Sequence, residues 1–112
     1  MKFDKGLVAG SSTMLILSLL ESGDMYGYQM IEELARRSND AFQMKEGTLY
    51  PILYRLEDDG MIVAAWSQGE GKTAPKKMYT ATEKGLLERK RRFQVWQDFS
   101  RTVNGFYQEE MK

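Results

Sequence analysis

Cysteine and histidine are both absent from this chain of 112 residues. Without them the chain has no disulfide, no thiolate or imidazole metal ligand, and no nucleophile–histidine pair of the kind found in hydrolases. Glu46, Asp58 and Asp59 could each act as a general base, but no cofactor-binding loop, nucleophile or metal cluster accompanies them. We therefore predict that the protein is not an enzyme and that it carries no metal and no cofactor.

Long apolar runs are also lacking. The longest, residues 14–20, contains Ser18 and is far shorter than the roughly 20 residues that span a bilayer. The N-terminus has a basic start but no small-residue cleavage site after an apolar stretch, which argues against a signal peptide. We expect a cytoplasmic protein with no membrane partner.

Net charge is zero, because 16 lysine and arginine residues balance 16 aspartate and glutamate residues. The two signs are unevenly distributed along the chain. Residues 72–92 hold eight basic and two acidic residues, whereas residues 1–71 hold six basic and eleven acidic ones. A local basic excess suits a polyanionic partner even though the whole chain is neutral.

The length and composition indicate one globular domain, since 42% of the residues are hydrophobic and 29% are charged. A domain of this size leaves part of its apolar surface poorly covered. We therefore expect a partner subunit.

Two helices are predicted in the first part of the chain. Residues 12–21 are apolar on nearly every side, which is typical of a buried helix, and a hydroxyl among residues 11–13 could cap its start. Gly23 suits the end of that helix, and Asp24 suits the cap of a second helix that follows at once.

A third helix is predicted over residues 45–60, where leucine and isoleucine recur at helical spacing until Gly60. Pro51 is tolerated in a first turn, whose N–H groups have no partner within the helix. We therefore expect the helix to be capped near Gly47 or Thr48, so that the proline marks its start.

The remainder of the chain predicts a hairpin and a long helix. Residues 61–66 and 77–82 are typical of strands, and the Gly-rich segment 67–75 joins them. Thr82 suits the N-cap of a last helix that begins at about Glu83. An apolar stripe like a coiled-coil seam follows that helix. Its members are Leu86, Phe93, Trp96, Phe99, Val103 and Phe106.

Three short helices, a hairpin and a long helix form the order of a winged helix-turn-helix protein. The predicted fold class is mainly α with a small β-hairpin (α+β). Residues 1–82 form the predicted DNA-binding domain, and residues 83–112 form a dimerisation helix within one compact unit. In such a fold the third helix enters the major groove and the hairpin, or wing, touches the flanking backbone.

The outer face of the third helix offers hydroxyl, ammonium and guanidinium groups. Arg55 could bond a guanine or a phosphate twice, and Thr48 or Tyr54 could donate to a phosphate. An ordinary solvated helix face would carry similar groups. The candidate DNA contacts on or just before this helix are Lys45, Thr48, Tyr50, Pro51, Tyr54 and Arg55.

The wing carries a second group of candidates, Lys72, Lys76 and Lys77, at its tip and return strand. Long cations on a mobile hairpin can follow a row of phosphates, although a solvated turn would also carry them.

The densest basic run, residues 89–92, lies on the last helix beside the apolar stripe. It is more typical of a solvated face or of a contact with an acidic partner than of a DNA contact. A small helical homodimeric protein-interaction module without specific DNA binding is therefore the alternative function.

Four segments resemble the PadR family of transcriptional regulators. They are Leu-Ile-Leu-Ser-Leu-Leu at 15–20, Met-Tyr-Gly-Tyr-Gln-Met at 25–30, the third-helix segment 47–60 and the wing-to-helix segment 75–85. The resemblance covers about residues 14–87. Lysines at 76 and 77 stand where arginines are frequent, and Ala81 replaces a common leucine. Lysine keeps the charge but lacks the planar fork that holds a phosphate with two bonds.

The resemblance implies a homodimer built on the first and last helices, acting in most cases as a repressor that a small molecule releases from double-stranded DNA. The implied interface comprises Leu15, Phe93, Trp96, Phe99, Val103 and Phe106. In similar proteins a flat cavity opens between the paired last helices. Trp96 and Phe93, with Met14 opposite, occupy the matching region and would line a site for a planar aromatic ligand. Plain packing of the dimer core is the alternative role for Trp96.

Overall fold

Helices and one small sheet build the fold in the computed structural model, which describes residues 3–67 and 74–110. The elements of this part are α1 (Lys5–Glu21), β1 (Met25–Tyr26), α2 (Gly27–Arg37), α3 (Glu46–Asp58), β2 (Ile62–Ser67), β3 (Lys76–Ala81) and α4 (Glu83–Gly105). The predicted order of helices and hairpin is confirmed, and so is the α+β class. The strands form one antiparallel sheet in the order β1-β3-β2.

The first helix is longer than predicted. Because α1 begins at Lys5, the hydroxyls of residues 11–13 lie inside the helix, and the prediction that one of them caps its start is wrong. Ser12 instead donates to the Val8 carbonyl, one turn earlier, at 2.6 Å. The buried side chains of α1 begin at Ser12, so residues 5–11 pack little against the core and show little apolar periodicity in the sequence. Hydrophobic spacing alone therefore misses the first turns of α1.

The second helix is preceded by a strand that the sequence did not predict. Tyr26, and not Asp24, occupies the N-cap position of α2, and its backbone N–H donates to the Gln29 side chain at 2.8 Å. Met25 and Tyr26 pair with β3 opposite Tyr79 and Met78. Two residues are too few to show the alternation of apolar and polar side chains that identifies a strand in a sequence. The sequence therefore predicted a two-stranded hairpin, whereas the structure has a three-stranded sheet.

Pro51 lies in the interior of α3 and not in its first turn, so the prediction that it marks the helix start is wrong. The helix begins at Glu46, with Lys45 as N-cap, which puts the proline in its second turn. Proline has no N–H to donate to the Gly47 carbonyl one turn earlier. Tertiary packing outweighs this loss, because the apolar side of α3 is fully in the core. Its buried side chains are Leu49, Leu53 and Leu56.

The core lies between α1, α2, α3 and the inner face of the sheet. Ile16, Met30 and Leu49 are all inaccessible to solvent, and Tyr79 of β3 is 1% exposed. Gly60 follows α3 with a φ of 74°, a left-handed conformation that favours glycine. The turn there leads directly into β2.

The start of α4 is fixed to the turn before β2. Thr82 is its N-cap, as predicted, and the Thr82 hydroxyl accepts from the Gly85 N–H at 3.1 Å. The backbone of Gly85 approaches Met61 so closely that a Cβ at this position would collide with the Met61 carbonyl oxygen. Further along, Arg89 Nε lies 3.1 Å from a carboxylate oxygen of Glu21, which joins α4 to the end of α1.

Candidate nucleic-acid interface

The outer face of α3 brings five of the predicted DNA contacts together on accessible surface. Leu49, Leu53 and Leu56 lie on the inner face of α3, so helical geometry turns the opposite side of the helix outward. Tyr54 is 54% exposed. The exposed residues of this face, with the N-cap that precedes it, are Lys45, Thr48, Pro51, Tyr54 and Arg55. Hydroxyl, ammonium and guanidinium groups are thus available on one side of one helix.

Tyr50 does not share this exposure, so the expectation that it faces outward with the others is wrong. Its ring is half-buried and packs on the core. A Cβ added at Gly27 would lie 2.6 Å from the Tyr50 hydroxyl, which shows how closely the ring approaches the start of α2. The residue borders the apolar stripe of α3 and locks α2 against α3.

The two wing lysines of β3 point to opposite faces of the sheet, because successive side chains of a strand alternate. Lys76 lies on the face away from α3, where its Nζ is 5.0 Å from the ring centroid of Tyr28 and 5.8 Å from that of Tyr26. These two rings stack at 5.8 Å with an interplanar angle of 9°. Lys76 remains exposed above them.

Lys77 lies on the face that meets α3. It pairs directly opposite Trp66 of β2, and its Nζ is 5.6 Å from the Trp66 ring centroid. The same Nζ is 3.8 Å from Glu57 Oε1 and 5.8 Å from the ring centroid of Tyr54, both on α3. Lys77 therefore connects the wing to the helix beside it.

Three residues of this region escaped the sequence prediction, namely Tyr28, Glu57 and Trp66. Strand alternation could have placed Trp66 and Lys77 on one face once the hairpin register was known. Nothing in the sequence indicated that Glu57 would lie under that face. Lys72, the other predicted wing contact, falls outside the described residues.

One buried tyrosine lies beneath Glu57 and the wing. Burial raises the pKa of Tyr79 to about 12, and the nearby Glu57 carboxylate adds to the effect. Within the described residues, neither the Tyr79 hydroxyl nor Glu57 Oε1 has a hydrogen-bond partner. On α2, hydrogen bonds from Arg36 and Arg37 lower the pKa of Glu33 to about 2.

The basic run on α4 is engaged with acidic residues of its own chain. Arg89 pairs with Glu21, and Arg91 and Arg92 both approach Glu88, one turn earlier on α4. These pairs account for three of the four cations in the run. The acidic contacts expected of this run are therefore at least partly intramolecular.

The stripe of α4 is exposed from Phe93 onward in the single chain, whereas Leu86 at its start is half-buried. Trp96 is 49% exposed, Phe99 63% and Phe106, just past the helix end, 83%. Phe93 and Val103 are also exposed, whereas Leu15 on α1 is half-buried against the core.

A groove of about 410 Å³ runs between α1 and α4. Met14 and Trp96, two of the three predicted ligand residues, line it together with Phe99. Phe93 is exposed but is not among the lining residues. The groove thus brings two of the three predicted residues together.

The described part of the chain offers neither a membrane-spanning helix nor a metal site. None of its helices is long and apolar enough to cross a membrane. Residues 3–67 and 74–110 also contain no group of acidic side chains that could hold a metal ion.

A three-helix body with a hairpin beside the exposed face of its third helix defines a winged helix-turn-helix protein. The model of the transcriptional regulator PadR-like family matches residues 16–91. The chain belongs to the PadR family. Members of this family are non-enzymatic DNA-binding regulators of transcription, so the prediction of a regulator and not an enzyme is confirmed by the family match.

Known proteins resemble the chain in sequence and in fold. The negative transcriptional regulator PadR of Bacillus subtilis is 33% identical over 73 residues, which are 65% of this chain and 40% of that protein. The chain therefore spans less than half the length of that relative. A transcriptional regulator from Clostridium thermocellum superposes with a TM-score of 0.85 at 28% identity, covering 91% of this chain and 98% of that one. Bacillus subtilis PadR in complex with operator DNA gives a TM-score of 0.65 at 30% identity, covering 71% of this chain and 45% of that one.

Proposed function

We propose that the chain is a ligand-responsive transcriptional repressor that binds a palindromic operator as a homodimer. The observation that carries the proposal is the exposed polar face of α3 with the wing lysine Lys76 on the neighbouring hairpin. One relative supports it, PadR of Bacillus subtilis, which is named a negative transcriptional regulator and was solved in complex with operator DNA.

In this proposal α3 enters the major groove. Arg55 holds a guanine edge or a phosphate with two hydrogen bonds, because its guanidinium is planar and exposed. The hydroxyls of Thr48 and Tyr54 donate to phosphate oxygens. Lys45 before the helix and Lys76 on the wing neutralise phosphates on either side, and Lys72 extends the wing contact.

The second element of the proposal is the dimer. An exposed apolar stripe on one helix is unusual on a monomeric protein and is typical of a surface that another subunit covers. In the dimer the α4 stripe and Leu15 of α1 meet their symmetry mates, and Phe93 is covered with them. Residues 1–82 then read DNA, while residues 83–112 set the distance between two α3 helices. A separation of roughly 34 Å places them in successive major grooves.

The third element is the ligand. The lining of the α1–α4 groove includes the apolar side chains of Met14, Trp96 and Phe99 and the guanidinium groups of Arg91 and Arg92. An indole ring offers a face on which a planar aromatic molecule can stack. A ligand held there favours one separation of the two α3 helices by its differential affinity. A coupling of about 1–3 kcal/mol is the usual size of such an effect.

The DNA contacts are tested by gel shift with DNA fragments selected from a genomic library. Arg55→Ala is expected to weaken binding by about 1–3 kcal/mol, or roughly 5- to 150-fold. Lys76→Ala is expected to weaken it less and to lower its salt dependence. Arg101→Ala on the outer half of α4 is the matched control and is expected to bind as the parent protein does. Parent-like binding by both variants of the interface would contradict the assigned surface.

The same library also separates this function from that of a protein-interaction module. A regulator retains particular fragments on a filter at moderate salt, whereas a module without specific DNA binding retains none in preference to the others.

The ligand site is tested by the fluorescence of Trp96. Planar aromatic compounds are expected to quench the parent protein and the Trp66→Phe variant equally. Trp96→Phe, which keeps an aromatic ring in the stripe of α4, is expected to abolish the quenching while DNA binding persists. Quenching that survives in Trp96→Phe and disappears in Trp66→Phe would move the ligand to the wing and overturn the proposed site.

A further inference from the structure

The sequence presents Lys76 and Lys77 as equivalent wing cations, but the sheet gives them different surroundings. We propose that Glu57 is a positioning residue that holds Lys77 against α3, so that Lys77 fixes the wing to the recognition helix and does not neutralise a DNA phosphate. This inference rests on the proposed function, because it assigns separate roles to two residues of the same interface.

The pleat of β3 is the first support. Lys77 shares its sheet face with the buried Tyr79, two residues along the strand, and both side chains face α3. Lys77 is only 30% exposed in its side chain. Lys76 has no acidic neighbour within ion-pair distance among the described residues, and its contacts are the faces of Tyr26 and Tyr28. Lys76 is thus exposed, whereas the charge of Lys77 is already opposed by Glu57.

The second support is the state of the Glu57 carboxylate. Its Oε1 is inaccessible to solvent and accepts no hydrogen bond within the described part of the chain. A buried carboxylate oxygen without a partner is costly, and the Lys77 ammonium at 3.8 Å is the cation that opposes it. If Lys77 moved to a phosphate, Glu57 would be left uncompensated beside a polyanion. The free energy of this loss opposes the exchange.

The arrangement has a consequence for specificity. Non-specific binding to DNA depends mainly on the number of phosphates that a protein neutralises. A lysine already paired with Glu57 adds little to that number, while it keeps Tyr54 of α3 and Trp66 of the wing in fixed positions around its Nζ. The ion pair between Glu57 and Lys77 thus lowers the salt-dependent part of the DNA affinity. It also keeps α3 in position for its contacts with the bases.

The salt dependence of DNA affinity tests the inference. The logarithm of the binding constant falls with the logarithm of salt concentration by about 0.9 for each neutralised phosphate, or about 3.5-fold in affinity per contact between 50 and 200 mM salt. We expect Lys76→Gln to reduce this slope by about 0.9. Lys77→Gln is expected to weaken binding with the slope unchanged. Glu57→Gln is expected to increase the slope by about 0.9, because the released Lys77 can then reach a phosphate.

The double variant Glu57→Gln/Lys77→Gln provides the internal control. Its slope is expected to equal that of Lys77→Gln, since no lysine is left to release. A purely structural role for Glu57 would lower thermal stability in both Glu57 variants and leave the slope of Glu57→Gln equal to that of the parent protein, which would overturn the inference. If Glu57→Gln does not fold, the comparison of Lys77→Gln with Lys76→Gln decides.

The outcomes also distinguish this inference from the proposed function. If Lys77→Gln reduces the slope as much as Lys76→Gln while Arg55→Ala weakens binding, the interface stands and the role of Glu57 is refuted. If Arg55→Ala and Lys76→Gln both bind as the parent protein does, the proposed interface itself is refuted.

Discussion

The winged-helix body and the outer half of α4 use similar apolar side chains in opposite ways. In the body, Ile16 and Leu53 are inaccessible to solvent, whereas on α4 Phe99 is 63% exposed. Both regions show helical spacing of apolar residues in the sequence. What differs is whether the chain itself supplies the surface that covers them. The side chains of the winged-helix body bury one another within a single chain, whereas the apolar stripe of α4 would need a second subunit to cover it.

The largest expected effect separates the two regions directly. Leu53→Ala is expected to lower the free energy of unfolding by about 2–5 kcal/mol, because the neighbours of a fully buried leucine cannot close the cavity. Chemical denaturation monitored by circular dichroism measures this. Val63→Thr at an exposed position of β2 is the control and should change stability by no more than about 0.5 kcal/mol. Equal effects of the two variants would mean that the body has no self-sufficient core.

The junction between the regions gives the next effect. Gly85→Ala is expected to destabilise the fold by about 1–3 kcal/mol, because the added methyl group meets the backbone of Met61, which cannot easily move. Gly105→Ala in the same helix has open space around the new methyl group and should be neutral or slightly stabilising, since alanine favours helix. Thermal unfolding of the pair tests this. A tolerated Gly85→Ala would show that the start of α4 is not held against the turn before β2.

The exposed stripe gives a smaller effect of a different kind. Phe99→Ala is expected to weaken the proposed dimer about tenfold or more, since a buried phenylalanine side chain contributes about 1.5–3 kcal/mol and each 1.4 kcal/mol is tenfold. Analytical ultracentrifugation over a range of concentrations measures the dissociation. Gln97→Ala, at an exposed polar position of the same helix, should dissociate as the parent protein does. A parent that is monomeric at all concentrations would contradict the dimer.

The sequence predicted those parts of the fold whose signals are local. The apolar repeat of α3 identified its inner side, and the outward position of Thr48, Tyr54 and Arg55 followed from helical geometry. The hydroxyl cap of α4 at Thr82 is also local, because capping joins residues that are three apart. These features depend on spacing within one element and on no other part of the molecule.

Features set by tertiary contact could not be predicted in the same way. β1 exists because β3 offers a free edge to Met25 and Tyr26, and Pro51 is accepted inside α3 because the core holds the helix on both sides of it. The separate surroundings of Lys76 and Lys77 depend on strand register and on the position of Glu57. Charge counting placed both lysines in one cluster, since it does not record which face of a sheet a side chain occupies.

The smallest effect concerns the buried Tyr79 at the root of the wing. Its hydroxyl has no hydrogen-bond partner in the described part, so Tyr79→Phe should be neutral or stabilising by less than about 1 kcal/mol at pH 8. The pKa of Tyr79 is raised from 10 to about 12 in the folded state. Folding therefore favours the neutral hydroxyl.

The contribution of this neutral hydroxyl to the free energy of unfolding is fully present below pH 10 and is lost as the pH rises towards 12. The parent protein should lose more stability over this range than Tyr79→Phe, whereas Tyr54→Phe at an exposed position should follow the parent. Denaturation curves at pH 8, 10 and 11 measure the difference, and identical pH dependence in Tyr79→Phe and the parent would show that the hydroxyl is hydrated in the folded protein.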